Sequence, residues 1–311
     1  MKLSTAIDRY LEHLTIEKNR SPKTIIAYRH YLARLADWLG KDPEIENISQ
    51  EAVRKFRLYL SRFTDEHGEQ LELKTQAYHI IALRSLLRYA LKQGVECLAP
   101  DKIELPKTEP AQVQFLTPEE LERLLAAPDI NTMAGLRDRA LMELLFSTGL
   151  RVSELAGLGR KMVSTETGEM RVIGKGRKER IVFISERARK WMREYFERRH
   201  DENEATFVGY RGKGTGDHPS MKVELQATRL TPRSIDRIIQ KHALESNIVK
   251  NITPHTLRHS FATDLLLNGA DIRSVQTLLG HASITTTQVY THITNRQLRE
   301  VHEKYHGKSL Q

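Results

Sequence analysis

The sequence predicts a mainly α-helical protein with a small β-sheet, built as an all-helical N-terminal domain followed by a larger α+β domain. Three observations lead to that class. Apolar residues recur at three- and four-residue spacing through most of the chain, the period of a helix with one buried face. The period fails at residues 169–185, where apolar runs flank a Gly174-Lys175-Gly176 turn and read as a β-hairpin. Residues 100–110 carry three prolines and alternating charges without any period, which reads as an extended linker. The resulting boundaries are 1–99 for the helical domain, 100–115 for the linker and 116–311 for the second domain.

The elements follow in order. Leu3, Ile7, Tyr10, Leu11 and Leu14 line one face of a first helix. Ser21-Pro22 opens a second, with serine as N-cap and proline at the first helical position. Its face is Ile25, Tyr28, Leu32, Leu35 and Leu39, and Gly40 stops it. Ser49 caps a third helix bearing Val53, Phe56, Leu60 and Phe63. A fourth spans about Leu73 to Lys92, with Tyr78, Ile81, Leu83, Leu86, Leu87 and Leu91 as its expected apolar face. Thr117-Pro118-Glu119-Glu120 starts the second domain with a cap, a proline and two acids at the positive end of the helix dipole. Residues 205–226, rich in glycine and polar side chains, read as a loop, and Thr231-Pro232 caps the helix after it. Asp271 caps a helix that Gly280 ends, and Ser283 caps the next, with Tyr290 about two turns in. A short amphipathic tail helix is expected at about 296–306.

Charge narrows the partners. The net charge is +9, from 49 basic and 40 acidic side chains, with an isoelectric point near 9.5. Clustered lysine and arginine release counterions from nucleic acid, which favours a polyanionic partner, though a merely basic solvated surface fits the charge equally. The one cysteine, Cys97, permits no internal disulfide and suits a reducing cytoplasm. No apolar run reaches bilayer length, and the first residues lack the apolar core of a signal peptide. A cytoplasmic protein without a membrane partner is expected. Neither Gly174-Lys175-Gly176-Arg177-Lys178 nor Gly212-Lys213-Gly214-Thr215-Gly216 has P-loop spacing, so an ATPase reading fails there.

Several residues carry chemistry. Arg151 follows Thr148-Gly149-Leu150, a helix end and turn from which its side chain can enter a groove, and Glu154 lies within reach to orient it. By itself this also fits a surface salt bridge. In Thr253-Pro254-His255-Thr256-Leu257-Arg258-His259, threonine caps and proline starts a helix, so His255 and Arg258 share one face near its anion-favouring end. His259 is one step round and is expected to point elsewhere. The histidines lack the His-Glu-x-x-His spacing of a zinc site. Lys175 sits at the hairpin tip, where it fits either a general acid or a solvated turn lysine. Tyr290 follows a polar threonine run that does not look like a core helix, although a core aromatic is the commoner fate of a tyrosine.

Taken together and in this order, Thr148-Gly149-Leu150-Arg151, Lys175, His255 to His259, Leu279-Gly280-His281 and Tyr290 resemble the tyrosine recombinases, most closely the Xer type. The resemblance covers nearly the whole chain. It implies an N-terminal SAM-like core-binding domain and an α+β tyrosine-recombinase catalytic domain. Tyr290 would be the nucleophile forming a 3′-phosphotyrosyl link. Arg151 and Arg258 would clamp the scissile phosphate, Lys175 would protonate the leaving 5′-oxygen, and His255 and His281 would assist proton transfer. Ser21-Pro22-Lys23-Thr24 and Tyr28 match the core-binding part, so Lys23, Thr24, Arg29 and Arg34 become candidate DNA contacts. The implied reaction uses no cofactor, neither metal nor ATP. The implied partners are a double-stranded recombination site, a homo- or hetero-tetramer of recombinases joined through the C-terminal tail, and an activator protein. One departure stands out: after Leu158 the family has an acidic-apolar strand, whereas this chain reads Gly159-Arg160-Lys161-Met162-Val163.

Three other readings remain open on sequence. A regulator without chemistry would use residues 271–290 as a helix-turn-helix, but leaves Arg151, Lys175 and the His255–Arg258 pair idle. A topoisomerase of type IB shares the chemistry, and a mobile-element integrase shares everything above. The expected role is Xer-like resolution of chromosome or plasmid dimers.

Overall fold

A computed structural model describes residues 1–65, 68–106, 114–174, 179–212 and 225–280. It separates into two compact units, Met1–Ala111 and Gln112–Gln311. None of the helices among the described residues is long and apolar enough to cross a membrane.

The first unit is helical. Helices α1 (Leu3–Ile16), α2 (Pro22–Leu39), α3 (Gln50–Arg62) and α4 (Leu73–Lys92) enclose a core of Leu3, Leu32, Phe56, Leu60, Ile80, Leu83, Leu86 and Leu87. The starts are where the caps put them: the Ser21 hydroxyl accepts from the Thr24 N–H at 3.3 Å, and the Ser49 hydroxyl from the Ala52 N–H at 3.2 Å. Gly40 ends α2 at φ +61°, a conformation open to glycine.

Two expectations change here. Tyr78, Ile81 and Leu91 do not face the core, being 40%, 36% and 40% exposed. Lys74, Arg84, Arg88 and Lys92 form a charged stripe along α4, and Ile81 and Leu91 fall on that outer side with Tyr78 at its border. The face buried is the one where Ala77, Ala82 and Ala90 let neighbouring helices approach. The stretch expected as extended linker also begins otherwise: Pro100–Lys102 forms a 3₁₀ turn, and Ile103 is buried in the core of this unit.

The second unit is organised around α6 (Met133–Thr148), which is buried along most of its length and packs against α5 (Pro118–Ala126), α8 (Glu186–Glu197), α9 (Pro232–Glu245) and α10 (Pro254–Leu267). Helix α5 starts with a complete capping box, Thr117 and Glu120 bonding each other's backbone N–H. The short α7 (Val152–Gly157) follows α6, and α11 (Ile272–Leu279) packs against α10. Strands β1 (Glu169–Ile173) and β2 (Glu179–Phe183) form the expected antiparallel hairpin, with Glu169 opposite Phe183 and Ile173 opposite Glu179. Met170, Val172 and Val182 face the core, while Ile173, Ile181 and Phe183 face outward.

The region 205–226 contains strand rather than loop alone. Val208–Gly212 (β3) pairs antiparallel with Leu225–Arg229 (β4). Glycine and polar residues mask the alternation, and the buried Phe207 and Val208 anchor the pair. The segment after Leu158 is a 3₁₀ turn, Arg160–Met162, and Gly159 bridges to Ala205. Arg160 donates to the Asp201 and Arg199 carbonyls, so its charge serves that loop.

A polar cluster around Asp138 lies in this core. Arg137 Nε and Nη2 donate to Asp138 Oδ1 at 2.8 and 2.6 Å, and Arg137 Nη1 donates to the Val208 carbonyl at 3.0 Å. Asp138 Oδ2 lies 2.9 Å from His242 Nε2, whose Nδ1 lies 2.7 Å from Glu245. These contacts fasten α6, α9 and β3 together through groups that are otherwise costly to bury.

Candidate functional site

The site is assembled by three chain ends. Helix α6 stops at Gly149, φ +59°, and a Cβ there would lie 2.5 Å from Phe261 Cδ1. Only glycine fits that approach at that backbone angle. The chain then buries Leu150 and presents Arg151 as the residue before α7. Glu154, three positions on, accepts from the Arg151 backbone N–H at 2.9 Å and from Arg151 Nη1 at 2.9 Å. Arg151 Nη2 reaches the Gly280 carbonyl, 3.1 Å away at the end of α11.

Helix α10 supplies the second arginine. Thr253 caps it by accepting from the Thr256 N–H, and Pro254 opens it. That places His255 and Arg258 as the sequence spacing predicts. Arg258 is only 4% exposed, and it reaches two backbone carbonyls: Nη1 donates to Gly149 at 2.5 Å and Nη2 to Leu279 at 2.7 Å. Arg151 and Arg258 therefore converge on the same two turns, the end of α6 and the end of α11.

A third arginine, Arg180 on β2, completes the cluster. Its Nη1 and Nη2 donate to the two oxygens of Glu154 at 2.9 and 2.8 Å, a bidentate pair. Burial alone would raise the Glu154 carboxyl, but hydrogen bonds from Arg180 and from the Arg151 backbone outweigh it and hold the group at about 2. Glu154 is thus ionised at neutral pH and shared by two guanidinium groups.

The histidines are set the other way. Desolvation by the neighbouring protein, although the ring keeps an exposed edge, and then the charges of Arg258 and Arg151 push His255 below its ordinary value. Burial, then His255 and Arg258, push His259 down to about 4. Both rings are neutral at pH 7, so His255 can accept or relay a proton beside the arginines.

Arg151, His255 and Arg258 are thus brought together. Lys175, His281 and Tyr290 lie outside the described residues. Among the candidate DNA contacts, Lys23 is exposed on α2 and Thr24 is tied to the Ser21 cap. Arg29 turns toward Asp8 on α1 at 3.8 Å, while Arg34 stacks over Phe63 at 4.1 Å. Lys23 and Arg34, about three turns apart, share a side of α2 that Arg29 does not. Sequence reasoning missed Arg180. Its signal was alternation: Arg180 and Val182 fall on the same side of β2, so burying Val182 turns an arginine inward. Among the described residues no group of three His, Cys, Asp or Glu side chains could hold a metal ion.

The chain matches known proteins over most of its length. The model of the phage integrase family matches residues 114–297, and that of the phage integrase N-terminal SAM-like domain matches residues 7–94. The chain is 36% identical over 306 residues to tyrosine recombinase XerD of Pseudomonas aeruginosa, covering 97% of both chains. It is 38% identical over 302 residues to tyrosine recombinase XerC of Pelobacter propionicus, covering 96% of this chain and 93% of that one. Among solved structures, the post-cleavage complex of XerH site-specific recombinase with palindromic difH substrate matches with 26% identity and a TM-score of 0.65, over 91% of this chain and 80% of that one. A Tn1549 transposon integrase in complex with transposon right end DNA has the same fold, with a TM-score of 0.70, 19% identity and coverage of 98% and 99%.

Proposed function

Because the chain belongs to the phage integrase family of tyrosine recombinases, we propose that it is a Xer-like site-specific recombinase acting on double-stranded DNA. The observation that carries the reading is the convergence of Arg151 and Arg258 on the Gly149 and Gly280 turns, with a neutral His255 beside them. Cleaving a phosphodiester requires fixed positive charge on the non-bridging oxygens and a route for protons. Arginine supplies the first because it stays charged and presents parallel donors.

In the proposed reaction the Tyr290 oxygen attacks the scissile phosphorus, forming the Tyr290–phosphate bond as the bond to the 5′-oxygen breaks. The tyrosine proton passes to the histidine side of the site, where His255 and His281 serve. Lys175 gives a proton to the leaving 5′-oxygen. Arg151 and Arg258 hold the phosphate oxygens throughout. The 5′-hydroxyl of a second duplex then reverses the step, and two rounds pass through a Holliday junction. The phosphodiester energy is kept in the 3′-phosphotyrosyl link, so neither ATP nor metal enters. A tetramer on two duplexes, contacts through residues 296–306 and control by an activator belong to the same proposal. So does resolution of chromosome or plasmid dimers, supported by the XerD and XerC relatives.

The test is an SDS-resistant protein–DNA adduct on nicked suicide duplexes bearing candidate sites. Wild type forms the adduct and Tyr290→Phe does not. An adduct that survives in Tyr290→Phe removes that residue as nucleophile.

A further inference from the structure

We propose that Arg180 is a positioning residue of this site: it takes up the charge of Glu154, so that Glu154 fixes Arg151 in place without cancelling the charge Arg151 offers to a phosphate. The ligand, an oxyanion of the phosphodiester class, rests on the recombinase reading. The Arg180–Glu154–Arg151 relation does not.

The geometry is specific. Glu154 Oε1 accepts from Arg151 Nη1 and Arg180 Nη1, each at 2.9 Å. Glu154 Oε2 accepts from the Arg151 backbone at 2.9 Å and Arg180 Nη2 at 2.8 Å. The side chain of Glu154 is 5% exposed, that of Arg180 12% and that of Arg151 27%, so the arginine facing outward is Arg151. An Arg151–Glu154 pair alone is neutral and would be a poor anion site. With Arg180 the group of three carries one net positive charge, and the most exposed member holds it.

Two further details show that the fold is fitted to Arg180. Gly280 sits at φ +63°, and a Cβ there would lie 3.0 Å from Arg180 Cδ. The residue whose carbonyl accepts from Arg151 is thereby also the one that lets the Arg180 stem pass. Arg180 Nε is buried without a hydrogen-bond partner among the described residues, so the bidentate pair is kept although one donor is left unmet. Arg180 also links β2 of the hairpin to the cap of α7, two elements whose relative position sets where Arg151 stands.

A plain stabilising ion pair would have the same contacts, so the test must separate the two. Single-turnover cleavage of suicide duplexes, DNA affinity and thermal unfolding are measured for wild type, Arg180→Met and Arg180→Lys. Arg180→Met, nearly isosteric without charge, is expected to cleave roughly ten- to a hundredfold more slowly at unchanged affinity. Its rate should fall again toward acid pH, because the buried Glu154, relieved of Arg180, titrates in a range where the wild-type group is ionised. Arg180→Lys keeps the charge without the fork and should restore part of the rate. Wild-type cleavage by folded Arg180→Met, or a rate loss matched by an equal affinity loss, overturns the proposal. Where Arg180→Met unfolds, Arg180→Lys carries the comparison: slower cleavage at unchanged affinity supports the role, and an unchanged rate overturns it. NMR titration of the Glu154 carboxyl supplies the arm independent of cleavage. If wild type makes no adduct, the recombinase reading fails while the titration still decides on Arg180. An upward shift of Glu154 in the variant supports it, and an unmoved titration overturns it.

Discussion

Two arginine clusters in the second unit are built from the same side chains and do opposite things. Around Asp138, one arginine meets two carboxylates and a histidine: Arg137 and His242 both contact Asp138, and Glu245 closes the far side of His242. Around Glu154, two arginines, Arg151 and Arg180, share a single carboxylate, and Arg258 beside them donates to the Gly149 and Leu279 carbonyls. The first cluster has its charge met from within and holds helices together. The second holds Glu154 between two guanidinium groups, Arg151 and Arg180, one positive charge more than that carboxylate carries. Charge balance, more than burial, separates a structural cluster from a site.

The contrast sets a series of expected outcomes. The largest falls on the balanced cluster. Asp138→Ala leaves Arg137 buried without its carboxylate and should cost about 3–5 kcal/mol of unfolding free energy. Denaturant titration reads this, and protein still folded at low temperature should retain its cleavage rate. The same change read as slow cleavage in a fully folded protein would blur the distinction.

Next comes the unbalanced cluster. Arg258→Lys keeps a charge but cannot reach the Gly149 and Leu279 carbonyls with two parallel donors. Cleavage should fall about 10²-fold or more, as when one fixed donor is removed from a developing anion. Acid sharpens the comparison. The Glu154 carboxyl is lowered from 4.5 to about 2, so the unfolded chain binds the extra proton as pH falls through this window. The stability this contributes is complete above about pH 4.5 and is lost toward pH 2, on the order of 3 kcal/mol at about 1.4 per unit. His259, lowered from 6.5 to about 4, adds a loss in the same direction beginning near pH 6.5. Unfolding followed from pH 7 to 2 should show both steps, and Glu154→Gln should remove the lower one. The smallest effect lies in the first unit: Lys23→Ala should weaken DNA binding with little sequence dependence and reduce the salt slope by about 1.

Much of this was legible in the sequence because it is written in local chemistry. Ser21-Pro22, Ser49, Thr117-Pro118, Thr231-Pro232 and Thr253-Pro254 all cap helices where they stand. The order of Arg151, His255 and Arg258 carried the site, since Arg151 and His255 each sit two positions from the turn or cap that fixes them and Arg258 follows His255 three positions on, on the same helix face. What stayed hidden depends on contacts between distant segments. On α4, Tyr78, Ile81 and Leu91 are apolar side chains that the fold leaves exposed, Ile81 and Leu91 beside Arg84, Arg88 and Lys92. Strands β3 and β4 are anchored by Phe207 and Val208 beneath a glycine-rich sequence. Arg180 lies 26 positions from the carboxylate it binds, and His242 lies 104 from Asp138. No local period encodes either pair.

The most direct measurement compares wild type with Arg151→Ala for two quantities on one suicide duplex: the fraction of DNA bound and the rate of adduct formation. If the surplus charge around Glu154 exists for the scissile phosphate, Arg151→Ala binds the duplex at saturation and yields no adduct on the wild-type timescale. Adduct forming at the wild-type rate from Arg151→Ala would show that the phosphate is held elsewhere, and the contrast between the two clusters would lose its functional meaning.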